Sequence, residues 1–240
     1  MTMEFESGLS GLDATIERRG LRDRVYDRIL QLLLSGDASP GARLSIDTIA
    51  RQLDVSPTPV REAMVLLERT GLVTREALKG YRVAPPLGAG QLAELFEARI
   101  MLESNAARLA TPASPLMLDE LRAAEEAHRA AGERVITGMR AGSPGVELTT
   151  AYFATDADFH RVVFRHCGNT YLEEMSESLG AQLHRMRQSV LHGVTDVREA
   201  IAEHEAIVDA FASGDRDAPE RLMRRHIEQV RSRSLDLERS

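Results

Sequence analysis

The segment Asp54–Met64, DVSPTPVREAM, constrains the fold more than any other because two prolines stand where a helix begins. The first amides of a helix have no intrahelical acceptor, so proline is tolerated there and disfavoured further on. We therefore predict that Ser56 is the N-cap, that Pro57 is N1 and that Pro59 is N3. A start at Thr58 is the alternative, because the α conformation is disfavoured immediately before a proline. Either start gives a helix whose amino-terminal end is held rigidly.

The segments on either side of this helix indicate the fold of the first third of the chain. Before it, the sequence predicts a loose tail over 1–20, a helix from Leu21 to Gly36, a turn at Pro40-Gly41, an extended Arg43-Leu44 and a helix capped by Ser45. After it, Gly71 ends the helix, and residues 72–75 and 81–83 form a β-hairpin with a basic tip. The buried faces are expected to contain Val25, Ile29, Leu32, Leu33, Ile46, Ile49, Ala50, Leu53, Val60, Ala63, Met64 and Leu67. Three helices followed by a hairpin predict a winged helix-turn-helix domain over 21–84.

A winged helix-turn-helix places the amino end of one helix in the major groove of double-stranded DNA, where side chains reach base edges. Residues 21–84 carry 10 Lys or Arg and 8 Asp or Glu, a net charge of +2, although the whole chain has a net charge of −7. The main expected contacts are Thr58, Arg61 and Lys79, and Gly80 would let the wing approach the minor groove. The full set of candidate DNA-binding residues is Arg43, Arg51, Ser56, Thr58, Arg61, Lys79 and Gly80. The plainer alternative is that Arg61 is a surface charge on an ordinary helical domain.

The fold class is mainly α, because beyond a linker at 85–90 the sequence predicts an all-α antiparallel helical bundle over 91–240. Aromatic residues make up only 4% of the chain and Trp is absent, so the core consists of Leu, Val, Ile, Ala and Met, which suits helix-on-helix packing. The helical segments are expected at about 89–110, 114–131, 148–167, 170–192, 196–213 and 216–235. Residues 132–147, GERVITGMRAGSPGVE, break the pattern and are interpreted as a mobile loop or a distorted helix.

Three of these helices place polar side chains on faces that should be buried. One helix has Asp156 and His160 one turn apart on its inner stripe, another has His204, and the last has His226. A buried carboxylate requires a compensating charge, and a divalent metal ion bound by all four side chains would supply it. Zinc, nickel and manganese all suit this donor set, and the sequence does not choose among them. The alternative is three core histidines, each hydrogen-bonded to a neighbouring group.

Arg99 lies within the apolar stripe of the helix that follows the linker. A buried guanidinium requires a carboxylate, which it can bind through two parallel hydrogen bonds. Glu103, one turn further on, is one candidate partner, and a small organic acid held between Arg99 and the metal is the other. The apolar members of the stripe are expected to be Leu92, Leu95, Leu102, Ala106 and Leu109. Surface or ordinary packing roles are assigned to His128, His166, His184 and His192.

Other functional classes find less support in the sequence. His204-Glu205 begins an HExxH pattern, but position 208 is Val, and no side chain has the setting of a general base or a nucleophile, so an enzyme is not expected. The alternative functions are those of a metal-dependent hydrolase, a metal-storage module or a sensor of the metal alone. The single cysteine, Cys167, excludes an intrachain disulfide, and the first residues lack the features of a signal peptide. With no apolar run long enough to span a bilayer, we expect a cytoplasmic protein.

Two sets of motifs carry a family resemblance. The first consists of Pro40-Gly41-x-Arg-Leu, Val-Ser-Pro-Thr-Pro-Val-Arg-Glu-Ala-Met at 55–64 and Glu-Arg-Thr-Gly-Leu-Val at 68–73. The second consists of Glu97, Arg99 and Glu103, then Asp156, Phe159 and His160, then Glu203-His204, and finally Arg225-His226-Ile227. On these motifs the chain resembles, over about residues 21–235, the GntR family of bacterial transcriptional regulators, specifically the FadR subfamily with an all-helical FCD effector domain.

The resemblance implies a homodimer, a palindromic operator and a small carboxylate effector that changes DNA affinity. It also implies that the positions which bind a divalent metal in many relatives are Asp156, His160, His204 and His226. The chain departs from the family at Pro57, where many relatives have Arg, and at Asp47, where some do. Both positions can contact DNA, so a relative's operator sequence does not transfer, and Arg61 carries more of the base reading. The segment 132–147 is also longer than is usual in the family.

Overall fold

The computed structural model describes residues 16–34, 38–76, 80–177, 179 and 193–236. The chain divides between Ala84 and Pro85 into two compact units, here called the N-terminal unit and the C-terminal unit. The described elements of the N-terminal unit are α1 (Ile16–Leu34), β1 (Arg43–Leu44), α2 (Ile46–Gln52), α3 (Pro57–Arg69), β2 (Val73–Glu76) and β3 (Gly80–Val83). Those of the C-terminal unit are α4 (Ala89–Leu109), α5 (Pro115–Arg140), α6 (Gly145–His166), α7 (170–177), α8 (Val194–Ala212) and α9 (Ala218–Asp236).

The N-terminal unit is the winged helix-turn-helix that the sequence predicts. Helices α1 and α2 both pack against α3, whose inner face is fully buried and consists of Val60, Ala63, Met64 and Leu67. Strands β2 and β3 pair antiparallel with Thr74 opposite Arg82, which confirms the hairpin, and its tip at 77–79 lies outside the described residues. Strand β1 pairs with the other side of β3, so the sheet order is β1-β3-β2. The pairing of β1 with β3 was not predicted from the sequence.

A tight turn joins α2 to α3. Asp54 has a left-handed φ of 52°, a conformation that Asp adopts more readily than most residues. Its N–H donates to the carbonyl of Arg51 at 3.4 Å, and the N–H of Val55 donates to the carbonyl of Ala50 at 3.0 Å. These two bonds form a Schellman motif, which satisfies carbonyls at the end of α2. The turn therefore fixes where α3 can begin.

Helix α3 begins at Pro57 with Ser56 as the N-cap residue, as its prolines predict. The Ser56 side chain makes no capping hydrogen bond, which corrects the expectation of a good side-chain cap. Pro59 contributes to this, because it occupies N3, one of the two positions whose N–H can donate to the cap oxygen, and proline has no N–H. At the other end, Thr70 is the C-cap and Gly71 follows with a φ of 70°, which confirms the predicted end.

The first helix differs from expectation in its start and in its buried face. Helix α1 begins at Ile16 rather than at Leu21, so the last part of the predicted tail is helical. Leu32, which was expected in the buried face, is 37% exposed, because it falls at the edge of a face centred near Ile29. The side chains that α1 buries are Val25, Ile29, Leu30 and Leu33.

The C-terminal unit is a helical bundle in which α5 packs against α6 and α8, and α9 packs against α4 and α8. Helix α4 begins at Ala89, inside the predicted linker 85–90, and Leu109 at its other end is 38% exposed rather than buried. The face that α4 buries contains Leu92, Leu95, Phe96, Arg99, Glu103, Ser104, Ala106 and Ala107. Of the helix predicted at 170–192, residues 180–192 lie outside the described part. No described helix has the length and apolarity that crossing a membrane requires.

Residues 132–147 are not a loop, because α5 continues through most of them and α6 begins after a short turn. Gly132 and Gly138 weaken the helical pattern of the sequence, but tertiary packing overrides that propensity. A Cβ on Gly132 would lie 2.7 Å from Cδ1 of Ile201 on α8, and a Cβ on Gly138 would lie 2.5 Å from Cα of Pro144. The two glycines therefore allow α8 and the turn before α6 to approach α5 closely.

Candidate metal centre and nucleic-acid interface

Three histidines from three helices meet inside the C-terminal unit. His160 on α6, His204 on α8 and His226 on α9 are 7%, 0% and 2% exposed. One ring nitrogen of each lies within 4.8 Å of a ring nitrogen of the other two, and the Nε2 atoms of His204 and His226 are 3.3 Å apart. The fold thus brings together the three histidines that the sequence analysis selected.

Asp156, the remaining candidate ligand, lies one turn before His160 on α6. Its Oδ1 is 3.7 Å from Nε2 of His204 and 3.8 Å from Nε2 of His160. Metal–ligand bonds of about 2.1 Å separate neighbouring ligand atoms by about 3.0 to 3.4 Å in octahedral and tetrahedral sites. The pair formed by His204 and His226 already has this separation, and Asp156 exceeds it by less than about 1 Å. The donor set therefore fits a divalent cation.

A carboxylate holds the outer side of His226. The Nδ1–H of His226 donates to Oε2 of Glu203 at 2.7 Å, and Arg233 donates to the two oxygens of Glu203 at 2.7 and 3.1 Å. Burial would raise the pKa of Glu203, but the hydrogen bonds from His226 and Arg233 lower it, so the carboxylate stays ionised. Since Nδ1 carries the proton, Nε2 of His226 keeps its lone pair toward His204. Such a carboxylate fixes the tautomer and the orientation of a metal-binding histidine.

A carboxylate also lies beside the outer nitrogen of His160, as a close ion-pair contact. Its Nδ1 lies 2.6 Å from Oε2 of Glu103, whose Oε1 accepts a 2.6 Å hydrogen bond from Nε of Arg99, and all three side chains are buried. Burial alone would raise the pKa of Glu103, but the charge of Arg99 and the contact with His160 hold it well below its usual range. Arg99 therefore pairs with Glu103, which was one of the two partners considered for it from the sequence. Through Glu103, Arg99 is connected to the ring of a candidate ligand.

Burial also determines the protonation of the imidazoles. It lowers the pKa of His204 well below its ordinary value, and the neighbouring histidines lower it further. Burial lowers the pKa of His226 as well, although its hydrogen bond to Glu203 opposes the shift. A metal ion binds the neutral form of imidazole, so both rings are in their ligating form at neutral pH.

A fourth imidazole belongs to this cluster, and the sequence analysis missed it. His128 on α5 was interpreted as a surface or ordinary packing residue, but it is 0% exposed, and its ring centroid lies 4.6 Å from that of His204. His128, Asp156 and His204 each place one ligand-capable atom within 4.8 Å of the other two. Burial lowers the pKa of His128 to about 4, against a smaller opposing effect of the Asp156 charge.

The spacing of His128 within α5 was the signal that could have identified it. Leu121, His128 and Val135 are seven residues apart, which is about two helical turns, and all three are fully buried. Because the predicted helix ended at residue 131, Val135 fell outside it, and the seven-residue repeat of buried positions was not recognised. Of the other histidines set aside, His166 pairs with Glu120 at 3.0 Å near the surface. Outside the described residues lie His184 and His192.

In the N-terminal unit, the start of α3 presents three of the predicted DNA contacts. Ser56 is the N-cap, Thr58 lies in the first turn and Arg61 in the second, and all three side chains are exposed. The first turn of a helix offers backbone N–H groups and the positive end of the helix dipole, both of which favour a phosphate group.

The other predicted DNA contacts lie on α2 and on the sheet. Arg51 is exposed in the last turn of α2, where its Nε donates to the carbonyl of Asp47 at 3.3 Å. Arg43 is exposed on β1, next to β3 in the sheet. Gly80 begins β3 with a φ of 88°, a left-handed conformation that favours glycine. Lys79 lies outside the described residues.

Two family models match the chain. The model described as "Bacterial regulatory proteins, gntR family" matches residues 21–83, and the model described as "FCD domain" matches residues 94–229. The chain is 30% identical to an HTH-type transcriptional regulator in an unstable DNA locus of Streptomyces ambofaciens, over 92% of this chain and 90% of that protein. It is 29% identical to a probable D-xylose utilization operon transcriptional repressor of Paenarthrobacter nicotinovorans, over 90% of this chain and 91% of that protein.

Solved structures have the same fold. The E. coli protein McbR/YncC matches with a TM-score of 0.69 at 23% identity, over 92% of this chain and 99% of that chain. A transcriptional regulator described as GntR from Rhodococcus sp. RHA1 matches with a TM-score of 0.69 at 25% identity, over 90% of this chain and 98% of that chain. Both matches extend over the winged helix and the helical bundle.

Proposed function

The chain belongs to the GntR family of bacterial DNA-binding transcriptional regulators and carries an FCD domain, and from this premise we propose that it is a ligand-responsive regulator. It binds a palindromic operator as a homodimer in the cytoplasm, with residues 21–84 as the DNA-binding domain. Residues 91–240 hold a divalent metal ion and a small organic acid, which together modulate DNA affinity. The observation that carries the proposal is a buried cluster of His160, His204 and His226, with the half-buried Asp156 beside two of them, in the same chain as a winged helix.

In the DNA-binding domain, we assign recognition of base edges to the amino-terminal end of α3, where Thr58 and Arg61 are the main contacts. Arg61→Ala is expected to weaken binding to the DNA upstream of its own gene by about 1–3 kcal/mol and to relax the sequence preference. Arg69→Ala is the matched control, because Arg69 is exposed on the same helix but about 12 Å further along its axis. Equal losses in the two variants, or no loss in Arg61→Ala, would contradict the assignment.

In the C-terminal unit, imidazole and carboxylate donors suit zinc, nickel or manganese. When bound, the cation supplies a positive charge to which a carboxylate oxygen of an organic acid binds. Arg99 supplies a second positive charge from the protein. Its hydrogen bond to Glu103 uses Nε, and a guanidinium has two further Nη groups that can donate to an acid. A small carboxylate between the cation and Arg99 is therefore the effector class that the site supports best.

The test is operator binding by metal-free protein, metal-loaded protein and metal-loaded protein with a panel of small mono- and dicarboxylates. We expect at least one acid to change the Kd for DNA about 5- to 150-fold, the usual size of an allosteric coupling. The response should require the metal and should be lost in His204→Ala, which removes a ligand, and in Arg99→Gln, which removes the second charge. A panel that leaves the DNA affinity unchanged in loaded wild-type protein would contradict an acid effector.

A second candidate function is a sensor of the metal alone. The observation that favours it is the internal pair of Arg99 and Glu103, which neutralises the guanidinium without a bound acid. In that case the metal by itself changes DNA affinity, and no acid in the panel changes it further. The two functions therefore give different results in the same binding assay.

The proposed homodimer is supported by large apolar side chains that the C-terminal unit leaves exposed: Met101, Leu116, Tyr171 and Met175. A dimer interface that brought these side chains together would bury an apolar patch of the kind that marks interaction sites. Sedimentation velocity of the full chain is expected to give a dimer at the concentrations at which it binds its operator. A monomer at those concentrations would contradict the proposed assembly.

A further inference from the structure

His128 is a buried polar side chain that neither the packing of the bundle nor the proposed metal ligands account for. Its ring lies between those of Tyr152 and His204, with centroid distances of 4.6 Å to each. The backbone of Tyr152 lies close enough to pair with one ring nitrogen, but not in good hydrogen-bond geometry, and the other ring nitrogen has no partner within the described part of the chain. A buried polar group without a partner destabilises a fold relative to an apolar group of the same shape. An imidazole kept in this position therefore indicates a ligand.

The neighbours of His128 indicate what that ligand is. Asp156 and His204 each have a ligand-capable atom within 4.8 Å of one on His128, and so form a second group beside the group of three histidines. His204 belongs to both groups. In the second group two imidazoles and one carboxylate face one another, a donor set found in metal sites that keep an open coordination position.

We propose that His128, Asp156 and His204 form a second cation position, which shares Asp156 and His204 with the position proposed above. The proposal rests on the metal binding proposed above. A neutral imidazole gives each lone pair to one ion, so the shared His204 lets a chain hold one cation in either position. The second position has fewer imidazoles and one oxygen donor, and it leaves coordination sites for a further oxygen ligand.

The test uses Co²⁺ as the probe, added to metal-free full-length protein and followed by equilibrium dialysis and by its visible absorption bands. Wild-type protein is expected to bind one Co²⁺ per chain. His226→Ala removes a ligand of the first position only, so it should still bind one Co²⁺, with weaker affinity. Adding His128→Ala to that variant should weaken Co²⁺ binding by a further factor of at least about ten, because losing a ligand should cost at least as much as losing the outer partner of one. His166→Ala, near the surface and outside the cluster, is the control.

Two results overturn the second position: Co²⁺ binding by His128→Ala/His226→Ala that equals binding by His226→Ala, or two Co²⁺ ions per wild-type chain. A wild-type chain that binds no Co²⁺, Zn²⁺, Ni²⁺ or Mn²⁺ overturns the proposed metal function instead, so the two failures are distinct. Far-UV circular dichroism checks that the variants fold. If the alanine variant at position 128 does not fold, His128→Gln gives the same comparison, because it keeps a polar side chain and lacks the imidazole.

Discussion

At the scale of single residues, Ser45 and Ser56 hold the same position at the starts of neighbouring helices, but only Ser45 accepts a hydrogen bond from a helix amide. We expect Ser45→Ala to lower the free energy of unfolding by about 1 kcal/mol. Ser56→Ala should change it by less than about 0.5 kcal/mol, because the Ser56 side chain makes no capping hydrogen bond. Urea unfolding measures both variants. A loss in Ser56→Ala as large as that in Ser45→Ala would show that Ser56 does cap α3.

Arg99 and Glu103 form a buried ion pair whose two roles can be separated. Arg99→Leu leaves a buried carboxylate without its cation, so we expect the free energy of unfolding to fall by about 3–5 kcal/mol. The double variant Arg99→Leu/Glu103→Leu should regain most of this stability, because an apolar pair replaces the ion pair. Its metal affinity should nevertheless fall about 10- to 100-fold, because His160 has lost the carboxylate that orients it.

Urea unfolding and metal titration of the same proteins give the two readouts. Arg108→Leu is the control, since Arg108 is exposed on the same helix and hydrogen-bonds to Asn105. A double variant that is as unstable as Arg99→Leu would contradict the account of stability. A double variant that binds metal as wild-type protein does would contradict the orienting role of Glu103.

At the scale of the helices, Gly138 should resist the substitution that usually stabilises a helix. Alanine in a helix interior gains about 1 kcal/mol over glycine. Its Cβ at this position would lie 2.5 Å from backbone of Pro144, so we expect Gly138→Ala to destabilise the protein by about 1–3 kcal/mol. Gly90→Ala, where a Cβ would meet no atom within 4 Å, is the control and should not destabilise. Urea unfolding measures both, and a stabilised Gly138→Ala would contradict the packing of α5 against the turn.

Gly138 also illustrates which helices and strands can be predicted from a sequence and which cannot. The start of α3, its end at Gly71 and the hairpin were predicted because prolines, a glycine and strand alternation act within a few residues of where they stand. The second half of α5 was not, because its glycines lower helix propensity locally while their reason for being there lies on another helix. The pairing of β1 with β3 was missed for a similar reason, since its two strands are nearly forty residues apart.

At the scale of the whole molecule, part of the candidate site could be predicted from local sequence patterns and part depends on contacts between distant segments. Four metal-competent side chains could be selected from the sequence because each interrupts an apolar stripe, and stripes of one bundle meet in one core. Their outer partners could not, because the contact of Glu103 with His160 and that of Glu203 with His226 depend on how four helices pack. His128 is intermediate. The sequence shows that it lies in a repeat of buried residues on its helix, but it does not show that its ring lies next to that of His204.

Metal removal should affect the thermal stability of the two units differently. Each has its own buried core, and every candidate metal ligand lies in the C-terminal unit. A metal bound only by the folded state raises its stability by about 2.7 kcal/mol when the free metal is at a hundred times its Kd. We therefore expect calorimetry of the full chain to show two transitions, and EDTA to lower the temperature of only the one that belongs to the C-terminal unit.

His204→Ala is the matched variant, because it removes an imidazole ligand common to both proposed cation positions, so EDTA should leave its transitions unchanged. His166→Ala should respond to EDTA as wild-type protein does. If EDTA lowers both transitions of the wild-type chain equally, the metal stabilises the winged helix without any organic acid. That result would favour the sensor of metal alone over the acid-responsive regulator, because the coupling between the two units would then need no second ligand.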